Sequence, residues 1–175
     1  MKKLNPLYYL PLPTPLGIAI ISWQKDQLII AFVLPQPTIE EALQILQSYR
    51  LPSHDSIKLE TKLPWPALAD KINAYFSGEK VVFPEPVFIE QFSGYTRQIL
   101  KITKNISWGE VMTYQQVAQL SSQKKAYRAV GQALSHNPIP LIIPCHRVIA
   151  KKSLGGFGYG LDWKLRLLNL EKFQQ

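Results

Sequence analysis

The sequence predicts a mixed α/β protein in which the strands come first and a mainly helical half follows. Residues 16–22 and 28–34 are apolar, β-branched runs on either side of a polar turn, a pattern that predicts a hairpin. Residues 93–106 carry apolar side chains at helical spacing. The chain has 175 residues, 46% of them hydrophobic, so it can bury the core of one domain or of two small ones.

Two helices are predicted after the hairpin. Thr38 is a candidate N-cap because Glu41 stands three residues later, and this pair predicts a helix over residues 38–49. Residues 64–76 predict a second helix, which ends near Ser77-Gly78.

Prolines interrupt residues 81–90, and this composition is typical of a linker. The sequence therefore predicts two domains. Residues 1–88 form an N-terminal α/β scaffold with its linker, and residues 89–175 form a mainly helical C-terminal domain.

The second half also predicts a helix-turn-helix. Thr113 and Gln116 fit a capping box that begins a short helix. The next helix covers residues 124–135 and ends before Asn137-Pro138. Two helices joined by a short turn are the outline of this motif.

One face of the second helix carries mostly small side chains. Tyr127, Val130 and Leu134 are spaced to pack inward, while Arg128 projects from a surface of small residues: Ala126, Ala129, Gly131 and Ala133. Such a surface fits tight helix packing and also fits close approach to a nucleic acid. Arg128 favours the second interpretation, because a guanidinium suits phosphate or base contact better than a core.

Cys145 is the only cysteine, and it stands in the sequence Pro-Cys-His-Arg-Val. Residues 138–145 predict a short buried strand that delivers the thiol to a turn. A disulfide within the chain is excluded, and the three histidines, His54, His136 and His146, are too scattered to complete a zinc site with one thiol. A buried structural cysteine and a nucleophile beside His146 are the remaining interpretations.

Charge is divided unevenly along the chain. Residues 1–90 carry 8 Lys and Arg against 9 Asp and Glu, a net charge of −1, whereas residues 91–175 carry 12 against 3, a net charge of +9. A basic half beside a neutral half suggests a polyanionic partner, most simply nucleic acid, although a solvated basic face would have the same composition.

Three carboxylates follow residue 90, namely Glu110, Asp162 and Glu171. Glu110 lies at a turn, and Asp162 is the candidate N-cap of a final helix over residues 163–173. Lys164, Leu168 and Glu171 share one face of that helix. Glu171 is therefore the acid best placed to orient His146.

No stretch approaches the roughly 18 apolar residues of a membrane span. The N-terminus begins with two lysines, but prolines from Pro6 onward interrupt any signal-peptide core. The sequence fits a soluble intracellular protein, cytoplasmic in a prokaryote or nuclear in a eukaryote.

The chain resembles the O6-alkylguanine-DNA alkyltransferases. The resemblance covers residues 92–173 most strongly and residues 14–85 more weakly. It rests on five ordered motifs in the second half and two in the first: Pro144 to Val148, Arg128 to Gly131, Asn137-Pro138, Gly109-Glu110, Thr113 to Gln116, Thr14 to Gly17 and Ala74 to Gly78.

The resemblance implies a fold and an activity. The N-terminal domain would have a ribonuclease-H-like appearance, and the C-terminal domain would bind duplex DNA through the minor groove with its helix-turn-helix. The damaged guanine would be flipped out, and its O6-alkyl group would be transferred irreversibly to Cys145. O4-alkylthymine would be a poorer substrate. No cofactor is implied, and the protein would be a monomer in solution that can cluster on DNA.

The resemblance also implies roles for particular residues. The catalytic group would be Cys145, His146, Glu171, Asn137 and Tyr114. The DNA-binding group would be Thr96, Tyr114, Gln115, Ala126, Ala129, Gly131 and Arg128, with Arg128 filling the space of the flipped base. The guanine would lie among Leu134, Val148, Phe157 and Gly158.

The chain departs from the family pattern in the loop of residues 156–160, which has Phe157 and Gly158 where a tyrosine and a hydroxyl residue are usual. Zinc occurs in some relatives, but a single cysteine cannot assemble that site. Two other classes fit parts of the pattern. A non-catalytic lesion-binding module would lack Cys145, and a cysteine hydrolase would need an oxyanion hole.

Overall fold

The structure, a computed structural model, describes residues 6–52 and 56–172. His54 and the predicted end of the last helix at Phe173 lie outside the described residues, as do the N-terminal lysines.

The N-terminal half is a four-stranded sheet with the order β3-β2-β1-β4. Its strands are β1 (Leu7–Thr14), β2 (Gly17–Gln24), β3 (Ile29–Gln36) and β4 (Ile57–Leu59). β1, β2 and β3 pair antiparallel in succession, and β4 adds to β1 in parallel. The predicted β2–β3 hairpin is confirmed, whereas β1 and β4 were not predicted.

The prolines of β1 explain why that strand was missed. β4 pairs only with Leu7, Tyr8 and Tyr9, so at Pro11 and Pro13 the strand has a neighbour on one side only. A residue without an N–H is tolerated on such an open side. Prolines that break the sequence pattern are therefore compatible with the strand.

Two helices cover the two faces of the sheet. α1 (Ile39–Ser48) begins as predicted, with the Thr38 side chain accepting a hydrogen bond from the Glu41 N–H at 3.2 Å. It packs on one face, where Ala42 and Leu46 join a small buried cluster. α2 (Leu68–Phe76) begins four residues later than predicted and contributes to the main core on the other face.

The segment predicted as a linker packs against the sheet. Phe83 and Ile89 are buried, and Ile29 of β3 exchanges backbone hydrogen bonds with this segment, donating to the Pro86 carbonyl and accepting from the Phe88 N–H. The main hydrophobic core contains residues from both halves of the chain. The division into domains near residue 88 stays a prediction.

The C-terminal half consists of short helices and one small parallel pair of strands. The helices are α3 (Gly94–Lys104), α4 (Tyr114–Leu120), α5 (Tyr127–Ser135) and α6 (Leu161–Leu170), and the strands are β5 (Met112–Thr113) and β6 (Val148–Ile149). α4 begins with the predicted capping box, and both of its hydrogen bonds are present. α4 and α5 contact each other and α3, so the predicted helix, turn and helix form one unit.

Three local predictions are wrong. Residues 138–144 form a buried series of turns rather than a strand, because Pro138, Pro140 and Pro144 withhold N–H groups and Leu141 has a φ of 74°. Asp162 does not cap α6: Gly160 is the N-cap, and Asp162 lies in the first turn, where a negative charge favours the helix dipole. Tyr127 is 51% exposed because it begins α5 rather than lying within it.

Among the described residues, no helix is long and apolar enough to cross a membrane.

Candidate active site

Cys145 lies where the buried turns end and a single 3-10 turn (Cys145–Arg147) leads into β6. The residue is 9% exposed. The thiol sulfur accepts a hydrogen bond from Asn137 Nδ2 at 3.2 Å. Burial raises the pKa of the thiol, while the Asn137 hydrogen bond and the charge of Lys164 oppose that rise. The cysteine is therefore a buried thiol that needs a base to become a nucleophile.

Asn137 holds the segment that carries the thiol. Its Nδ2 also donates to the Ile143 carbonyl at 2.9 Å, and its Oδ1 accepts from the Ile139 N–H at 3.1 Å. These bonds replace the ladder that the predicted strand would have supplied. Asn137 follows the end of α5, so it also fixes that helix relative to Cys145.

His146 and Glu171 form a fully buried pair. His146 Nε2 is 2.8 Å from Glu171 Oε1, and both side chains have an exposed fraction of zero. A carboxylate accepts, so Nε2 carries the proton and Nδ1 carries the lone pair. Nδ1 is buried and has no hydrogen-bond partner among the described residues. The imidazole therefore offers a basic nitrogen in the interior, one residue from the thiol.

Arg147 keeps Glu171 ionised. Its Nε donates to Glu171 Oε2 and its Nη2 donates to Oε1, both at 2.8 Å. Burial acts to raise the pKa of Glu171, but hydrogen bonds from His146 and Arg147 outweigh burial and lower that pKa to about 2. Burial lowers the pKa of His146 despite the carboxylate, which favours a neutral imidazole at neutral pH.

Cys145 lies between two adjoining cavities. One, of about 350 Å³, is lined by Tyr114 and Gly131 on the side of α4 and α5. The other, of about 290 Å³, is lined by Ile45, Tyr49 and Asn137 on the side of α1. Cys145 and four other residues line both: Leu134, Ser135, Phe157 and Gly158. The thiol therefore borders two cavities that are each large enough for a small organic group.

Tyr114 closes the first cavity. Its ring is within van der Waals range of the Cβ position of Gly131, and Lys164 Nζ lies 5.9 Å from the ring centroid. Its hydroxyl is 3.4 Å from the Gly156 carbonyl. Burial raises the pKa of Tyr114, so the phenol keeps a proton that it can donate.

Lys164 ties the two walls of the site together. Its Nζ donates to the Val148 carbonyl at 2.6 Å and to the Gly156 carbonyl at 3.0 Å, although the residue is fully buried. Burial lowers the pKa of Lys164 to about 8, with the Cys145 thiolate acting in the opposite direction. The lysine therefore links β6 to the loop over the thiol and places positive charge near the sulfur.

A pair of tyrosines closes the second cavity. The Tyr49 and Tyr159 hydroxyls are 2.5 Å apart, and Tyr159 also accepts from the Leu34 N–H. Burial raises the pKa of Tyr159 to about 12, so this pair stays neutral. The loop containing Tyr159 is thereby attached to the N-terminal sheet.

The structure brings most of the predicted site residues together. Cys145, His146, Glu171 and Asn137 form one hydrogen-bonded centre, and Tyr114 lies across the first cavity from Cys145. Val148 is fully buried and lines neither cavity; its carbonyl is held by Lys164.

The predicted DNA contacts lie on α3, α4 and the N-terminal part of α5. Gln115 and Arg128 are exposed. The other members are all half-buried: Thr96, Ala126, Ala129 and Gly131.

Tyr75, Arg147 and Lys164 also belong to this centre, although the sequence pattern predicts no role for them. Arg147 lies inside the Cys145 motif, and Tyr75 lies inside the Ala74 to Gly78 motif. Their place in these motifs was the signal that the sequence offered for them. Lys164 had a stronger signal, because a lysine on a helix face shared with Leu168 is poorly placed for solvent. Among the described residues, no group of three side chains suited to a metal ion occurs.

The chain is similar in sequence to known proteins. Residues 94–173 match the family model described as 6-O-methylguanine DNA methyltransferase, DNA binding domain. A methylated-DNA--protein-cysteine methyltransferase of Sulfurisphaera tokodaii is 50% identical over 101 residues, 58% of this chain and 64% of that protein. The protein of the same name from Sulfolobus acidocaldarius is 45% identical over 106 residues, 59% of this chain and 65% of that protein. The aligned part thus spans just under two thirds of these relatives.

A solved structure extends the likeness to the whole fold. The crystal structure of Mycobacterium tuberculosis OGT in complex with DNA superposes with a TM-score of 0.77 at 27% identity, covering 94% of this chain and 92% of that chain. The fold is thus shared with an O6-methylguanine methyltransferase of known structure. Residues 94–173 belong to the 6-O-methylguanine DNA methyltransferase family of DNA-binding domains, as the sequence motifs indicated.

Proposed function

We propose that this protein repairs alkylated DNA by transferring the alkyl group of O6-alkylguanine in duplex DNA irreversibly to Cys145. O4-alkylthymine would react less efficiently. One observation carries the proposal: the only thiol of the chain lies between two cavities and next to a buried His146–Glu171 pair. The names of the matched relatives and of the superposed DNA complex support the same substrate.

The chemistry begins with proton removal from the buried thiol. His146 accepts the Cys145 proton at Nδ1 through a water, while Glu171, itself held by Arg147, keeps the ring in place. The sulfur then attacks the alkyl carbon in a single displacement. The S–C bond forms as the C–O6 bond breaks, and the electron pair of the broken bond passes to the guanine.

Tyr114 assists the departing base. Its raised pKa keeps the phenol protonated, so it can donate to the guanine, which then leaves as a neutral molecule. Backbone groups of Gly158 would donate to O6, because this position has no side-chain hydroxyl. The carbonyls of Cys145 and Val148 would read the edge of the base.

DNA would reach the site through the face of α5. The small residues Ala126, Ala129 and Gly131 allow close approach to the minor groove, and exposed Arg128 would occupy the space of the flipped base. Thr96 and Gln115 would contact the sugar-phosphate backbone of the DNA. The protein would bind as a monomer, and several molecules could cluster along one duplex.

The product is a thioether, which no cellular reductant cleaves, so each molecule would act once. We therefore expect duplex DNA with one O6-methylguanine to add one methyl group per protein, located on the Cys145 peptide by mass spectrometry. The same duplex with unmodified guanine is the control for the substrate, and Cys145→Ser is the control for the acceptor. Turnover beyond one equivalent, or transfer by Cys145→Ser, would sink the mechanism.

A further inference from the structure

Tyr75 brings the N-terminal half of the chain into the active centre. It lies on α2 and is fully buried. Its hydroxyl donates to Glu171 Oε1 at 2.5 Å and is 3.2 Å from His146 Nε2. The residue lies outside the family match over residues 94–173.

We propose that Tyr75 is a positioning residue that sets how strongly Glu171 attracts the proton of His146. This inference rests on the proposed function, because it assigns His146 the role of base toward Cys145. The N-terminal half would then tune the chemistry of the site through one hydroxyl, in addition to supporting the fold.

Packing alone accounts for the ring of Tyr75 but leaves its hydroxyl unexplained. The ring makes edge contacts with Phe76 at 5.5 Å and with Trp108 at 5.0 Å between centroids. A phenylalanine would fill that space equally well. The hydroxyl is instead placed on the carboxylate oxygen that His146 uses, and a buried hydroxyl must find such a partner.

Glu171 Oε1 divides its charge among three donors: Tyr75 Oη, His146 Nε2 and Arg147 Nη2. Each added donor stabilises the carboxylate by itself and weakens its attraction for the other two. Loss of the Tyr75 hydroxyl would leave more negative charge facing the imidazole. The protonated form of His146 would then be favoured, and its pKa would rise.

Arg147 donates to the same carboxylate oxygen as Tyr75, but Arg147 and the other charged groups around His146 also act on the imidazole directly through their charge. Arg147 and Lys164 lower the pKa of His146 through their positive charge, whereas Glu171 raises it. Among the described residues, the titratable groups that contact the imidazole or act on it are Tyr75 from α2, Arg147 from its own turn, and Lys164 and Glu171 from α6 and its C-cap. Tyr75 is the member of this set that is contributed from the N-terminal half.

Tyr75→Phe tests the proposal in the full-length protein. A protonated His146 cannot accept the thiol proton, so the transfer rate falls on the acidic side as that pKa is crossed. We expect the acidic limb of the rate profile for methyl transfer to move to higher pH by about one unit, the effect of one hydrogen bond to a charged group. Because each molecule reacts once, the amount of methyl transferred counts the folded molecules, and the rate constant reports the site.

Phe76→Leu is the matched control. Phe76 is the buried neighbour of Tyr75 on α2, and its side chain has no polar atom that could bond to the His146–Glu171 pair. This variant should lower the folded fraction without moving the acidic limb. An unmoved limb in Tyr75→Phe at full methyl stoichiometry would overturn the proposal.

Replacement of Tyr75 by 3-fluorotyrosine keeps the fold while making the phenol a stronger donor. The acidic limb of this variant should then move to lower pH, the opposite direction from the acidic limb of Tyr75→Phe. If the acidic limbs of the two variants move in the same direction, the proposal is contradicted. The profiles are also measured with iodoacetamide, which alkylates Cys145 without DNA. If the unaltered protein transfers no methyl group, the proposed function is refuted. If the pH profiles of methyl transfer and of iodoacetamide alkylation are unchanged in the variants, the role of Tyr75 is refuted.

Discussion

Glu171 connects the chemistry of the thiol to the stability of the fold. Its folded pKa of about 2 lies below its ordinary value of 4.5, because His146 and Arg147 donate to it in the interior. A group with a depressed folded pKa stabilises the folded state above its unfolded pKa. That contribution is lost as the pH falls through the folded pKa. The window for Glu171 therefore runs from about pH 4.5 down to about pH 2.

Glu171→Gln should flatten the acid dependence of stability in this window. The shift corresponds to roughly 3 kcal/mol of unfolding free energy that the unaltered protein loses between about pH 5 and about pH 2. The variant would be less stable at neutral pH, because Arg147 loses its buried counter-ion, but it would lose less on acidification. Urea unfolding followed at several pH values measures both effects.

Glu90→Gln is the control for this acid titration. Glu90 pairs with Arg97, but its side chain is 62% exposed, and such pairs contribute little. Its stability profile should run parallel to that of the unaltered protein. A parallel profile for Glu171→Gln as well would show that the buried carboxylate does not carry the acid sensitivity.

Helices and strands with local signals were predicted, and those that depend on distant partners were not. The N-caps Thr38 and Thr113 and the β2–β3 hairpin follow from residues a few positions apart, and all are confirmed. The turns of residues 138–144 depend on the Asn137 side chain, and β1 tolerates its prolines because of where β4 stops.

The residues of the active centre also fall into those that local sequence predicts and those that depend on distant contacts. Cys145 and His146 are adjacent, and Glu171 was found by elimination among three carboxylates. Tyr75 contacts Glu171 across 96 positions of sequence, and Arg147 reaches the Ile106 carbonyl across 41. No periodicity or spacing in the sequence indicates contacts between residues so far apart. The partners of Tyr75 and Arg147 could therefore be identified only from the folded structure.

The loop after β6 requires glycine at position 155. Gly155 has a φ of +70°, and a Cβ there would lie 2.7 Å from Tyr114 Cε2 and 3.0 Å from its hydroxyl. Gly155→Ala should displace Tyr114 from the cavity and strain the loop, at a cost of about 1–3 kcal/mol. We expect the methyl-transfer rate to fall about tenfold or more.

Gly94→Ala is the comparison for Gly155→Ala. Gly94 has no atom within 4 Å of its Cβ position and begins α3, where alanine is favourable. Single-turnover rates of the two variants, scaled to the fraction of protein that reacts, separate misplacement of Tyr114 from loss of folded protein. Equal methyl-transfer rates for Gly155→Ala and the unaltered protein would show that the close contact between this loop and Tyr114 does not matter for transfer.

The distribution of charge over the molecule predicts where the proposed DNA substrate would bind. The second half of the chain carries the net positive charge, and exposed Lys124 and Lys125 lie in the turn between α4 and α5, close in sequence to Arg128. Binding to phosphates releases counter-ions, so affinity falls with salt in proportion to the number of phosphates that the protein neutralises. The lysines of this turn should therefore contribute to the salt dependence, whereas those of the N-terminal sheet should not.

Replacing Lys124 and Lys125 together by alanine should lower the slope of log affinity against log salt by about 0.9 for each phosphate that is no longer neutralised, or up to about 1.8 in total. Fluorescence anisotropy with one duplex at several salt concentrations measures that slope. The matched control replaces Lys58 and Lys62, two exposed lysines of the neutral half, by alanine, and its slope should equal that of the unaltered protein. Because both double variants remove two positive charges, a change in net charge alone predicts equal slopes. A binding face at the α4–α5 turn predicts that only the first slope falls.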